Sequence, residues 1–180
     1  MNKPHRVLLA LSSLAVLAAC AAAGTPGAPS PEPRAMQASA ADSASAHRAA
    51  TGFLAAFDSL QYEPFRAYFA DDVTMFFPFA QFPSRADGKA AVESVFSRFF
   101  EAQRASRAEA GRPMVQGIAP RGLRVQMAGA DAAIVTFHLG AESPARRSIV
   151  FRRVGADAWK VVHWHASSSP VAPAARPSGS

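Results

Sequence analysis

Three histidines in predicted strands are the residues of this chain best suited to chemistry. His163 and His165 lie in the segment 159–167, where β-branched and aromatic residues follow a turn at Gly155 and predict a strand. Residues two apart share one face of a strand, so the two imidazoles could form a hydrogen-bonded pair or supply two ligands to a metal. His138 lies in a second predicted strand.

The possible reactions of these histidines can be tested against their surroundings in the sequence. A proton-transfer site needs only a dyad, and Asp72, at a predicted helix-to-strand junction, is the candidate partner for His138. A two-acid site is not indicated, because the other acidic residues near the strands lie at turns. A metal site would need His138, His163 and His165 on one face together with a carboxylate. We do not expect all three histidines on one face, so no metal is predicted. No phosphate-loop, dinucleotide or EF-hand pattern occurs, and no cofactor is predicted.

Hydrophobic periodicity predicts the elements that must position these side chains. Two segments repeat apolar residues near every 3.6 positions, the first with Ser43 or Ser45 as a cap and the second after Gly88. Later segments read as strands separated by turn residues. The predicted order is a helix from the cap to residue 60, a short helix at 63–69, a strand at 73–77, a possible short strand at 79–82, a helix at 89–107, and strands at 114–127 (bulged or bent at Gly117 or Gly122), 131–140, 146–154 and 159–167. This order predicts an α+β domain with helices on one face of an antiparallel sheet.

The first nineteen residues predict a secretory signal. Lys3 and Arg6 precede an apolar run of thirteen residues, which is too short to span a bilayer and suits a signal-peptide core. The run ends in Leu-Ala-Ala-Cys20, which resembles the lipobox of bacterial lipoproteins. An ordinary cleavage after Ala19 or near Ala23 is the alternative, but it leaves a free thiol in an oxidising compartment. We therefore expect lipidation of Cys20 and a location in the cell envelope. Ala21, rather than Asp, after the cysteine resembles outer-membrane sorting signals of Gram-negative bacteria, so we expect the periplasmic face of the outer membrane.

Composition divides the rest of the chain into a domain and two flanking segments. Residues 20–43 are rich in Ala, Pro, Gly and Ser and predict a disordered tether, and residues 168–180 predict a disordered tail. The folded domain is expected at residues 44–167. The formal net charge is +6, but the arginines are scattered and form no basic stripe, so we do not expect a nucleic acid as partner.

The order of these elements resembles the nuclear transport factor 2-like (NTF2-like) superfamily, in particular its SnoaL-like branch. The resemblance rests on Phe69-Ala70-Asp71-Asp72-Val73 at the entry to the first strand, on Gly88-Lys89-Ala90-Ala91-Val92 at the start of the third helix, and on the closing pattern from Trp159 to Ser167. It covers residues 44–167. The resemblance implies a cone-shaped fold in which N-terminal helices pack on a strongly bent, mostly antiparallel sheet. It also implies a mostly apolar pocket and commonly a homodimer formed through the outer face of the sheet.

The same resemblance, through the association domain of calcium/calmodulin-dependent protein kinase, implies which side chains line the pocket. Every second residue of a strand faces the same side. In each of the last three strands the resemblance places one such alternating set inside the pocket, and it places His163 and His165 outside, toward a dimer partner. A single bulge would reverse this assignment and make these two histidines part of the pocket. The implied pocket residues are His138, Ser148, Val150, Arg152, Val162 and Trp164, with Phe76 among the phenylalanines of the interior.

Two functions remain compatible with the sequence. The favoured one is a non-catalytic, exported and membrane-tethered module that binds a small apolar or anionic ligand or serves to dimerise. The alternative is a SnoaL-like isomerase, cyclase or dehydratase acting on a hydrophobic ketone, with His138 and Asp72 as acid and base and Arg152 holding an anionic group. The two functions differ in one structural requirement. The enzyme needs His138, Asp72 and Arg152 to converge on one cavity, whereas the binding module does not.

Overall fold

A computed structural model of the chain describes residues 37–78, 82, 84–140, 145–155 and 158–168. Its helices are α1 (Ala40–Asp58), α2 (Tyr62–Arg66) and α3 (Lys89–Glu109). Its strands are β1 (Phe69–Phe76), β2 (Arg85–Asp87), β3 (Arg121–Met127), β4 (Ala132–Leu139), β5 (Ala145–Val154) and β6 (Ala158–Ser167). The expected signal, Cys20 and the tail beyond residue 168 lie outside the described residues, as does most of the possible strand at 79–82.

The first helix begins earlier than the apolar repeat in the sequence predicted. Ser39 is its N-cap, because the Ser39 hydroxyl accepts the backbone N–H of Asp42 while the Asp42 carboxylate accepts the backbone N–H of Ser39. The expected caps lie inside the helix. Ser43 is exposed there, and the Ser45 hydroxyl accepts a hydrogen bond from Trp159 Nε1 at 2.9 Å.

The six described strands form one sheet in the order β2-β1-β6-β5-β4-β3. The β1–β6 pair is parallel and the other neighbouring pairs are antiparallel. The buried side chains of β4, β5 and β6 share the face that packs against α1 and α3, which we call the inner face; the opposite one is the outer face. The predicted α+β architecture, with helices on one face of a mostly antiparallel sheet, is confirmed.

Phenylalanines join the helices to the inner face of the sheet. Phe53 of α1 is completely buried, and its ring centroid lies 5.0 Å from that of Phe65 in α2 and 5.8 Å from that of Phe151 in β5. Phe65 in turn contacts Phe96 of α3 at 4.8 Å. Full burial of one such ring contributes about 1.5–3 kcal/mol, so this cluster holds the three helices in fixed positions on the sheet.

One extra residue interrupts the pairing of the last two strands. Val161 of β6 is opposite Phe151 of β5, and His163 is opposite Val150. Between them, Val162 has no residue opposite it on β5. This is a β-bulge, in which two residues of one strand take the place of one, so the alternation of side chains changes phase.

The bulge decides which side chains of β6 face the helices. Strict alternation would place Trp159 on the same face as His163 and His165, and Trp164 on the other. In the structure, Trp159 and Trp164 are both buried on the inner face, with exposed fractions of 4% and 3%. His163 and His165 lie on the outer face, half-buried and exposed respectively.

The strand expected at 114–127 is shorter than the sequence suggested. Gly117 and Gly122 have φ angles of 71° and 63°, values that glycine adopts without a steric penalty. A register shift follows Arg121 in the pairing with β4. Residues 114–120 are therefore irregular, and they run beside the end of α1, where they close one side of the interior.

Candidate functional site

A cavity of about 230 Å³ lies between the inner face of the sheet and the helices. Side chains of α1, α3, β1, β4, β5 and β6 line it, together with residues of the segments that follow β1 and precede β3. The lining residues are Leu54, Phe57, Met75, Phe77, Pro78, Phe82, Val95, Phe96, Phe99, Gln116, Ile118, Phe137, Leu139, Arg147, Trp164 and Ala166. The wall is therefore mostly apolar, as in the sites that bind small hydrophobic ligands.

Stacked aromatic rings form the helical side of the cavity. Phe57 of α1 and Phe99 of α3 stack with centroids 5.9 Å apart, and Phe96 stacks on Trp164 of β6 at 5.3 Å. Phe96 and Phe99 are three residues apart, a spacing that puts them on one side of α3.

The irregular segment before β3 is held against α1 by three hydrogen bonds. The backbone N–H of Gln116 donates to the carbonyl of Asp58 at 2.7 Å, and Gln116 Nε2 donates to the carbonyl of Phe57 at 2.8 Å. The backbone N–H of Ile118 donates to Asp58 Oδ1 at 2.7 Å. The first two bonds occupy backbone carbonyls at the C-terminal end of the helix and the third occupies the Asp58 carboxylate, and together they fix Gln116 and Ile118 as part of the cavity wall.

Arg147 is the charged residue among those that line the cavity. On β5 it lies opposite Phe137 of β4 and Ala166 of β6, and all three share the inner face. Arg147 Nη1 donates to the carbonyl of Arg146 at 2.8 Å and to that of Ser167 at 3.0 Å. Within the described part of the chain it forms no salt bridge, and burial lowers the pKa of its guanidinium.

Arg147 was not among the site residues predicted from the sequence, although a signal for it exists. Ile149 and Phe151 are the large apolar residues of β5, and both are completely buried. Because every second residue of a strand shares a face, these two mark the residues of β5 that face the helices, and Arg147 is one of them. An arginine two positions from a buried isoleucine on the same face is a candidate for a partly buried cation.

The structure corrects the orientation expected for four pocket residues. His138, Ser148, Val150 and Arg152 were expected inside, but they alternate with Phe137, Ile149 and Phe151, whose bulk occupies the core. All four are on the outer face, and none of them lines the cavity. Phe76 is also on that face, with 36% of its surface exposed, whereas Trp164 lines the cavity and Val162 is the bulge residue.

The structure does not bring His138 and Asp72 together. They belong to β4 and β1, which two other strands separate, so the two residues are at least about 14 Å apart at a usual strand spacing. Asp72 instead binds Arg152, with Oδ1–Nη2 and Oδ2–Nη1 distances of 2.9 and 3.1 Å. The Arg152 hydrogen bonds lower the pKa of Asp72. The three residues of the expected acid–base site thus do not converge on the cavity.

His163 and His165 form a small aromatic cluster on the outer face. Thr74 Oγ1 lies 2.7 Å from His163 Nδ1, and the Phe76 ring is centred 5.8 Å from His163 and 5.7 Å from His165. Burial lowers the pKa of His163, and the nearby His165 and Arg85 lower it further. Across the described residues, no three His, Cys, Asp or Glu side chains are grouped as metal ligands.

The buried indole of Trp164 is a further polar feature of the interior. Trp164 Nε1 has no hydrogen-bond partner among the described residues. The indole meets Phe53 and Phe57 edge-to-face, with centroids 5.3 and 5.8 Å away. Edge-to-face contacts of this kind are favourable between aromatic rings and hold the indole in place.

Comparisons with known proteins identify the fold. Residues 47–172 match the family model described as a SnoaL-like domain. No curated protein matches the chain significantly.

In the part of the chain that the structure covers, no helix is long and apolar enough to cross a bilayer.

Solved structures similar to this chain share its architecture at low sequence identity. An NTF2-like protein of unknown function from Pseudomonas putida aligns with a TM-score of 0.56 and 20% identity, over 72% of this chain and 88% of its own. A ketosteroid isomerase-like protein from Erwinia carotovora atroseptica aligns with a TM-score of 0.54 and 20% identity, over 72% of this chain and 98% of its own. A cystatin-like fold protein from Nostoc punctiforme aligns with a TM-score of 0.53 and 19% identity, over 77% of this chain and 98% of its own. At these identities the likeness concerns the fold alone.

Proposed function

The chain belongs to the SnoaL-like family, and we propose that it is a non-catalytic member that holds a small apolar ligand in its interior cavity. The composition of the cavity wall carries this proposal. Among the described residues that form the wall there is no His, Asp or Glu, and the polar side chains are those of Gln116, Arg147 and Trp164. Acid–base catalysis needs a titratable group within hydrogen-bonding reach of the substrate. The wall therefore favours binding over proton transfer.

The enzymatic alternative has weaker support. An isomerase, cyclase or dehydratase acting on a hydrophobic ketone would need His138 and Asp72 to reach the same substrate. Both side chains are on the outer face, three strand spacings apart, and Asp72 is already paired with Arg152. The similarity to a ketosteroid isomerase-like protein, at 20% identity, concerns the fold and identifies no catalytic residue in this chain.

Binding of neutral apolar probes tests the proposed function. A cavity of about 150 Å³ in another protein holds benzene, so 230 Å³ has room for indole or for a phenyl ring with a short chain. We expect indole and 4-phenylbutan-1-ol to raise the melting temperature and to bind in calorimetric titrations. A ligand at a hundred times its dissociation constant stabilises a protein by about 2.7 kcal/mol.

Two blocking variants and one control locate the binding site. Ala166→Leu and Leu54→Phe add bulk from opposite walls of the cavity, and each should abolish binding while cooperative unfolding is retained. Ala105→Leu adds the same bulk on the exposed side of α3 and should bind as wild type does. Unchanged binding in both blocking variants, or no binding to wild type, would contradict the proposal.

We also propose that the domain is exported and anchored to the membrane by lipid. The support is the positive start, the apolar run and the lipobox-like Leu-Ala-Ala-Cys20. Ala21, rather than Asp, after the cysteine resembles the signals that sort lipoproteins to the outer membrane. Labelled palmitate should enter the wild-type chain and not the Cys20→Ala variant, and fractionation should place the label in the outer membrane. Equal labelling of both chains would exclude lipidation at this cysteine.

A homodimer through the outer face of the sheet is the third part of the proposal. The described helices pack on the inner face, and the outer face exposes Ile134 and Phe76 at 39% and 36%. A second copy of the chain would cover these apolar groups. Light scattering should give the mass of a dimer for wild type and of a monomer for Ile134→Lys, while Val115→Lys, at an exposed site before β3, should remain a dimer. A monomeric wild type would refute this part.

A further inference from the structure

We infer that the cavity selects an amphipathic carboxylate, with its anionic group on Arg147 and its apolar body among the phenylalanines. This inference rests on the proposed function and adds the chemical class of the ligand. A carboxylate is chosen because its two oxygens match the planar fork of a guanidinium, which can bind both of them at once.

The charge balance around Arg147 is the first argument. An arginine keeps its charge at any physiological pH, and a partly buried charge is costly unless a partner compensates for it. The partners of Arg147 among the described residues are two backbone carbonyls, those of Arg146 and Ser167, and a single nitrogen, Nη1, donates to both. The donors on Nε and Nη2 have no protein acceptor in that part of the chain. A ligand carboxylate would supply the missing negative charge.

The position of Arg147 in the sheet is the second argument. Phe137, Arg147 and Ala166 lie side by side on three adjacent strands of the inner face, and all three line the cavity. The methyl group of Ala166 leaves space on one side of the guanidinium, while Phe137 offers an apolar surface on the other. The cation is therefore placed at the edge of a hydrophobic volume, an arrangement that suits a molecule with one charged end.

The contrast with Arg152 supports the choice of residue. Arg152 lies on the same strand as Arg147 but on the outer face, and its guanidinium is occupied by both carboxylate oxygens of Asp72. Arg147 has no such ion pair in the described residues. Of these two arginines of β5, the one that faces the cavity is the one that lacks a carboxylate.

The size of the cavity limits the ligand. Its 230 Å³ is below the range of about 300–1,000 Å³ that is usual for sites holding drug-sized molecules. Among the described residues, one charged side chain lines it, that of Arg147, so a single negative charge is matched. An arylalkanoate or a short-chain fatty acid fits both limits, whereas a dianion such as a phosphate monoester would bring a second, uncompensated charge.

A matched pair of ligands tests the inference separately from the proposed function. Calorimetric titrations at pH 7 compare 4-phenylbutanoate with 4-phenylbutan-1-ol, which has a similar shape and no charge. Wild type should bind the carboxylate at least about tenfold more tightly, since hydrogen bonds to charged groups are the stronger ones. Arg147→Met should bind both compounds with the affinity of the alcohol. Arg152→Met, on the same strand but on the outer face, should behave as wild type does.

The outcomes distinguish the two ideas. Equal affinities for both compounds in wild type, or a preference that survives in Arg147→Met, would overturn the anionic site and leave apolar binding intact. No binding of either compound to wild type would overturn both. If Arg147→Met does not fold, the side-chain ¹⁵Nε resonance of Arg147 in wild type gives the answer. That signal should shift on titration with the carboxylate and not with the alcohol, and an unmoved signal would refute the inference.

Discussion

Deleting Val162 should leave the fold intact, although it removes a residue from the middle of a central strand. Because Val162 has no residue opposite it on β5, its removal would bring Val161 and His163 into regular succession. Strict alternation would then keep Trp164 on the inner face and His163 on the outer one. The loss is that of one half-buried valine, about 1 kcal/mol, with a local change of strand twist.

Deletion of Val150 in β5 is the matched control. It also removes a half-buried valine, but from a position that pairs regularly with β4, opposite Ile134. Either Ile149 or Phe151, both completely buried, would have to turn outward. Loss of burial costs about 1.5–3 kcal/mol for such a side chain, and a phenylalanine-sized cavity raises this to about 3–5 kcal/mol. That is comparable to the whole stability of a marginal domain, so this variant should not fold.

Urea denaturation followed by tryptophan fluorescence distinguishes the two deletions. The Val162 deletion should unfold cooperatively, with a loss of stability below about 2 kcal/mol and with the emission of buried tryptophans. The Val150 deletion should show exposed tryptophans before urea is added. If the two deletions destabilise the domain equally, or if Trp164 becomes exposed when Val162 is removed, the role assigned to the bulge is wrong.

Three further substitutions probe the core, the outer face and the exposed ion pair. Phe53→Ala should lower the free energy of unfolding in urea by about 3–5 kcal/mol because the ring is completely buried, whereas Val115→Ala at an exposed site should change it by less than about 0.5 kcal/mol; equal effects would contradict the core assignment. Burial lowers the pKa of His163, so the folded state favours the neutral imidazole, and the stability it contributes is present at neutral pH and lost as pH falls below about 6.5. The melting temperature between pH 7.5 and 5 should therefore fall more for wild type than for His163→Gln, and parallel curves would refute this. Asp72→Asn should lower the melting temperature slightly at low salt and not at 1 M salt, because its ion pair is exposed and screened; a loss that persists at high salt would argue against a screened surface pair.

Local patterns in the sequence predicted most of the elements. The repeat of Val92, Phe96 and Phe100 predicted α3, and Gly88, with a φ of 83°, lies at its N-cap. Turn residues predicted the limits of β4, β5 and β6 to within one residue. The predicted start of α1 was too late, because serines nearer the apolar repeat masked the capping box of Ser39 and Asp42.

The inward and outward faces were much harder to assign. Alternation within β5 separates Arg147, Ile149 and Phe151 from Ser148, Val150 and Arg152, but it does not say which set faces the helices. Analogy with a related fold favoured the second set, and that prediction was wrong. Burial of the larger side chains decided otherwise, since the free energy gained by removing Ile149 and Phe151 from water exceeds that for the other set.

The sequence by itself determined the α+β architecture and the order of the elements, because these follow from periodicity and turn residues that act over a few neighbours. The SnoaL-like family was indicated by the resemblance of short motifs and is shown by the match of residues 47–172. Only the tertiary structure decided which residues form the site. It placed Arg147 at the cavity and His138 outside, and it paired Asp72 with Arg152 across the sheet. The physical reason is that alternation along a strand says only which residues share a face. The face that packs on the helices is decided by the burial of large side chains such as Ile149 and Phe151, and the change of phase in β6 at Val162 depends on the neighbouring strand.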